Sequence, residues 1–226
     1  MDIKGSVIVI TSAGNKLGRT LVSHFSRLGA DVIAIDTDPI QLKKITDDNV
    51  LTYLVTDYND HTIRSLFSDL VNNRGLNIDI LINYWPSTPL PMLTSQDTAN
   101  DFSSQLCLLA TPIFSFGQAC AEHMRDSSKK NLIINMITFP FENRDLGFES
   151  ARSMVSGFTK SWAKELAPFN IRVGGVIPGT AHTVEYNHYA TSNSAHWAVI
   201  QDELIRSTEY IVCNEYFNGR IMAAEI

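Results

Sequence analysis

The chain is short of cysteine, of charge and of long apolar runs. Its three cysteines, Cys107, Cys120 and Cys213, are odd in number, far apart and without a C-x-x-C pair. That pattern excludes a disulfide framework and reads as ordinary core thiols in a reducing compartment. No metal site is expected from it. Charged residues make up only 19% of the chain, the formal net charge is −6, and no block of like charge occurs. A nucleic-acid-binding surface is therefore not expected. No stretch approaches transmembrane length, so no membrane partner is expected either. The apolar run Ser6-Val7-Ile8-Val9-Ile10 ends in a turn too soon for a signal peptide and suits a buried strand. These shortages point to a cytoplasmic protein acting on a small molecule. Repeats and linkers are missing as well, so residues 1–226 read as one domain, long enough for a full core.

Strand and helix signals alternate from end to end, which predicts a parallel sheet with helices on both faces. Strands are expected over Val7–Thr11, Val32–Asp36, Leu51–Val55, Ile78–Asn83, Leu132–Ile137 and Ile171–Ile177. Helices are expected over Gly18–Leu28, Thr62–Val71, Thr98–Met124 and Ser150–Leu166. Gly29 is placed as a C-terminal stop, and Asp38-Pro39 as an N-cap with proline in the first turn. Pro112 is expected to kink or interrupt the long helix. Tyr84–Gln96 reads as loop, with Pro86, Pro89 and Pro91 as breakers. Two further helical segments follow near His196–Arg206 and Thr208–Cys213, and Phe217–Met222 closes the pattern as a Gly-led strand.

Several motifs sit at the carboxyl ends of these strands. After strand one comes Thr11-Ser12-Ala13-Gly14-Asn15-Lys16-Leu17-Gly18, and strand two ends in Asp36. Asp57-Tyr58 follows strand three, Asn83 ends strand four, and Pro178-Gly179-Thr180-Ala181-His182-Thr183 follows strand six. The segment Phe148-Glu149-Ser150-Ala151-Arg152 opens the helix that carries Lys160 and Lys164. Together these resemble the short-chain dehydrogenase/reductase family over essentially the whole chain. The resemblance implies a Rossmann-type α/β fold, doubly wound, with a dinucleotide across the strand ends and its pyrophosphate at the first helix N-terminus. Thr11, Ser12, Asn15, Lys16, Leu17 and Gly18 match the phosphate loop, with Ser12 and Lys16 where the family has glycine. Asp57 and Tyr58 match the adenine side, Asn83 the first residue of Asn-Ala-Gly, and Pro178, Gly179 and Thr183 the carboxamide-binding turn.

Asp36 could accept both ribose hydroxyls of NAD and repel a 2′-phosphate, or it could form a turn with Asp38 before the next helix. Lys16 could face phosphate, as in pteridine reductase-like members, or be a solvated lysine. The implied cofactor is NAD, with NADP and no cofactor at all as the alternatives.

At the chemical end, the family's serine, tyrosine, lysine and asparagine positions read Thr138, Phe148, Arg152 and Leu109. A phenyl ring neither donates nor accepts a proton, and no Tyr-x-x-x-Lys occurs anywhere. The expectation is an oxidoreductase by descent that is weakly active or only binds cofactor. One alternative uses a displaced acid, with Glu149, His182, Tyr186, His188 and Tyr189 as candidates, or the arginine chemistry of halohydrin dehalogenases at Arg152. Arg152 could equally hold ribose, phosphate or a carboxylate. The other alternative is a silent subunit paired with an active relative. The resemblance implies a homodimer or homotetramer, or such a hetero-oligomer, joined through the two helices at 98–124 and 150–166.

Overall fold

A computed structural model describes residues 1–87, 89–94, 96–138, 147–179 and 193–224. Seven strands form one parallel sheet: β1 (Val7–Ile10), β2 (Asp31–Asp36), β3 (Val50–Leu54), β4 (Ile80–Pro86), β5 (Asn131–Thr138), β6 (Ile171–Pro178) and β7 (Ile221–Ala224). Their spatial order is β3-β2-β1-β4-β5-β6-β7. Among the described residues six α-helices connect them: α1 (Lys16–Arg27), α2 (Pro39–Leu42), α3 (Asp60–Ser68), α4 (Ala99–Met124), α5 (Gly147–Leu166) and α6 (Asn193–Cys213). The strand order reverses between β1 and β4, which is the crevice where doubly wound sheets bind their ligands.

Side-chain alternation along the strands builds a core on each face of the sheet. Ile8 and Ile10 of β1 pack with Leu17, Leu21 and Phe25 of α1 and Leu204 of α6. Val9 points the other way, into a cluster with Phe67 of α3, Phe116 of α4 and Val155 of α5. Helix starts follow their caps. The Asn15 side chain accepts from Gly18 N, so α1 begins at Lys16, two residues earlier than the glycine suggests. Asp38 caps α2 with Pro39 in the first turn, and Thr98 forms a reciprocal capping box with Asp101 at α4.

Four expectations need correction. β4 continues through Tyr84, Trp85 and Pro86, which pair with Met136, Ile137 and Thr138 of β5; a proline at a strand's last residue removes little from the ladder. Pro112 does not interrupt the helix, because α4 runs on past it with the proline on its buried side. The last two helical segments are the single helix α6. Phe217 and Asn218 precede β7 and fix it: Phe217 enters the core, and the Asn218 side chain accepts from Val173 N at 2.8 Å.

Candidate active site

The carboxyl ends of β1, β2, β4 and β5 converge on the crevice with the N-terminus of α1. Ser12 leaves β1 with φ 48°, a left-handed conformation in which glycine is at ease and serine is not. Gly18, one turn into α1, backs directly onto this bend. A Cβ there would lie 2.8 Å from Ala13 Cα and closer still to the Ser12 carbonyl oxygen. Lys16 stands exposed in the first turn, while Leu17 is buried in the core.

Thr11 is engaged with the backbone of the neighbouring strand. Its hydroxyl donates to Tyr84 O at 2.8 Å and accepts from Tyr84 N at 2.9 Å, clamping β1 to β4. The Asp36 carboxylate stands at the end of β2, as the sequence places it. It accepts from Gly14 N at 2.8 Å, Thr37 N at 2.7 Å and Asp38 N at 3.0 Å. Gln41 and Asp36 crowd Gly14, where an added Cβ would lie 2.7 Å from Gln41 Cβ. Arg19 ties the same corner by donating to Gly14 O and to Gln41 Oε1. Asp57 is exposed and accepts from Asn59 N at 3.1 Å, in a turn before α3.

Strand alternation sends Tyr84 and Trp85 to opposite faces. Trp85 packs beneath α4, 5.6 Å from Phe116, and its Nε1 donates to Asn83 Oδ1 at 2.6 Å. Asn83 passes the network on, donating to Ile113 O at 2.8 Å and Asn135 Oδ1 at 3.2 Å. Tyr84 instead faces the α1 side and is 2% exposed. Its hydroxyl lies 3.0 Å from Thr138 Oγ1 at the end of β5. Burial pushes the Tyr84 hydroxyl up to about 12, with the Asp36 charge adding and contacts to Thr138 and Asn15 opposing.

Tyr58 covers the other side of Ser12. Its ring stands edge-on to Trp85, centroids 4.7 Å apart, and its hydroxyl lies by Thr37, Ser12 and Asp36. Burial, then the Asp36 charge, raises it to about 12 against the contacts with Thr37 and Ser12. Sequence reasoning assigned Tyr58 only a position and missed the Tyr84–Thr138 contact. Reading β4 one residue further would have shown Tyr84 on the Thr138 face.

Phe148 lies in the first turn of α5, 5% exposed. Arg152, one turn on, has its Nε 3.6 Å from Glu149 Oε1. Leu109 is buried against the α4 side of the sheet. The hydroxyl of Thr138 lies at the end of β5, within hydrogen-bond reach of the Tyr84 hydroxyl. Pro178 closes β6 opposite Ala224, and Gly179 N donates to Ala224 O at 2.7 Å. Thr183, with His182, Tyr186, His188 and Tyr189, lies outside the described residues.

The model of the short chain dehydrogenase family matches residues 6–193. The chain belongs to that family. A 3-oxoacyl-acyl-carrier-protein reductase of Thermotoga maritima is 26% identical over 191 residues, covering 81% of this chain and 77% of the relative. L-Fucose dehydrogenase of Bos taurus is 22% identical over 201 residues, 88% of this chain and 74% of the relative. The crystal structure of 3-ketoacyl-(acyl-carrier-protein) reductase from Brucella melitensis complexed with NADH superposes with a TM-score of 0.78 at 18% identity. It covers 98% of this chain and 97% of that one. The fold is thus the Rossmann-type doubly wound sheet, shared with oxidoreductases that act on unlike substrates.

In charge and donors the site fits a dinucleotide. Asp36 ends β2, the α1 N-terminus faces the crevice, and Gly18 allows the close bend between them. Tyr84 and Tyr58 flank this bend, the first beside Thr138 and the second beside Ser12 and Thr37.

Proposed function

We propose that this protein is a non-reducing member of the short-chain dehydrogenase family: a weak, NAD-preferring nucleotide binder in the cytoplasm. The buried Phe148 carries the reading. In the family's reaction a phenol at this position transfers the proton, while a bound nicotinamide supplies or accepts hydride. A phenyl ring transfers none. Arg152 is paired with Glu149, and Thr138 is paired with Tyr84. Tyr84 does not stand in for that phenol, because its side chain is almost wholly buried and its hydroxyl is engaged with Thr138. The preference for NAD rests on Asp36, whose carboxylate opposes a 2′-phosphate. Exposed Lys16 offsets part of that opposition.

The test is turnover of a ketone and aldehyde panel with NADH and with NADPH. General acid–base help is worth on the order of 10²–10⁴ in rate, so rates at background are expected. Robust turnover by the wild-type protein would overturn the proposal.

A second reading, a silent subunit beside an active relative or a second copy, draws support from α4 and α5. Leu108 is 77% exposed and Phe114 47%, and Phe114 adjoins Trp162, which stacks on Phe158. An apolar strip of this kind is costly to leave in water and suits a helix-pair interface. Light scattering on the purified chain should show a dimer or tetramer; a monomer that also fails to join an intact relative would refute this reading.

A further inference from the structure

The crevice between β1 and β4 divides at Ser12 into two halves. One lies over the ends of β2 and β3, near Asp36, and the other over the ends of β4 and β5, near Thr138. In a doubly wound sheet a dinucleotide spans both, its adenosine on the Asp36 side and its second nucleoside beyond the α1 N-terminus. Among the described residues, each half holds one tyrosine. Tyr84 reaches across the β5 half to Thr138 Oγ1 at 3.0 Å and is almost wholly buried. Tyr58 leans from the end of β3 across the β2 half onto Trp85 at 4.7 Å, and is partly buried. The loop between them is drawn in as well, with Gly14 N bound to Asp36 and Gln41 packed over Gly14.

We propose that Tyr58 and Tyr84 are built-in occupants of the nucleotide crevice, one for each nucleoside, and that a dinucleotide enters only by expelling both. This rests on the nucleotide-binding reading above and sharpens it. Tyr58 sets affinity for anything carrying adenosine, whereas Tyr84 sets affinity for the second nucleoside alone. The two residues therefore make the site discriminate between ADP and NAD in a way that separate substitutions can uncouple. Tyr84 has the firmer hold, since its side chain is almost wholly buried and that of Tyr58 only partly.

The experiment is calorimetric titration of the wild-type protein, Tyr84→Ala and Tyr58→Val with NAD and with ADP. Tyr84→Ala should tighten NAD by at least about tenfold and change ADP by less than about threefold. Tyr58→Val should tighten both. NAD affinity in both variants within about threefold of wild type would overturn the proposal and leave nucleotide binding standing. Folded variants that bind neither ligand would overturn both. Should a variant fail to fold, the wild-type protein still decides. Expulsion of Tyr58 strips the ring that Trp85 rests on, so saturating NAD should change tryptophan emission, and Trp85→Phe should abolish that change. NAD binding with no change in emission would refute the expulsion of Tyr58.

Discussion

Gly18→Ala and Gly157→Ala are the same chemical change and should have opposite effects. At Gly18 the new methyl would meet the Ser12 carbonyl oxygen, Ala13 Cα at 2.8 Å and Ala13 C at 2.9 Å. All three are backbone atoms of a bend already held at positive φ by Ser12, clamped below by Thr11 on Tyr84 and beside it by Gly14 on Asp36. Ordinary contact begins at about 3.5 Å, so either α1 or the loop must move. Overpacking of this kind costs about 1–3 kcal/mol, and more where the neighbour is fixed. We expect a loss of about 3 kcal/mol. Gly157 lies on the exposed side of α5 with nothing near its would-be Cβ. Alanine there removes a mid-helix glycine and should stabilise by about 0.5–1 kcal/mol. For a chain of this size 1 kcal/mol moves Tm by roughly 2–4 °C. The two variants should thus melt roughly 7–16 °C apart, with Gly157→Ala above wild type and Gly18→Ala below. Differential scanning calorimetry measures it. A Gly18→Ala protein that melts with the wild type would show that the loop does not rest on the helix as described.

High pH gives a second expectation. The Tyr84 hydroxyl is raised from an ordinary 10 to about 12 in the folded protein, so the folded state holds its proton longer than the unfolded chain does. The resulting stability is complete below pH 10 and is lost as the pH climbs towards 12, by up to roughly 3 kcal/mol. Urea unfolding across that range should show the decline, and Tyr84→Phe should lessen it while Tyr58, raised to the same range, keeps its share; equal slopes in the two proteins would refute the burial of the Tyr84 hydroxyl. A third concerns Phe148→Tyr combined with Arg152→Lys, which restores a phenol and an ammonium group but leaves Leu109, Tyr84 and the Tyr84-held Thr138. Catalytic groups need placement within about 0.5 Å of productive geometry, so efficient NADH-dependent ketone reduction should not appear. Strong activity in that double variant would place the whole loss at those two positions.

Local pattern carried the sheet and helices a long way. Alternating apolar runs marked six strands within a few residues, and Asp38-Pro39 located its helix start correctly because capping is a short-range interaction. Proline misled twice, for a common reason. At Pro86 and Pro112 the cost of a missing N–H depends on what the surrounding strands or helices do, and no local window contains that. At the site, Asp36 was legible because the end of strand two is fixed by register. The role of Thr11 was not, since its partner is 73 residues away.

By itself the sequence determined the alternation of the apolar strands, hence a two-faced core. It also determined that position 148 carries a phenyl ring, which has no exchangeable proton whatever surrounds it. Tertiary structure alone decided what fills the crevice. Whether Tyr84 or Trp85 turns towards it depends on how far β4 runs beside β5, a matter of pairing between distant segments. Whether Tyr58 leans over Ser12 depends on Trp85 offering a ring to rest on. A side chain's identity is local, but the volume left beside it is the difference between everything packed around it.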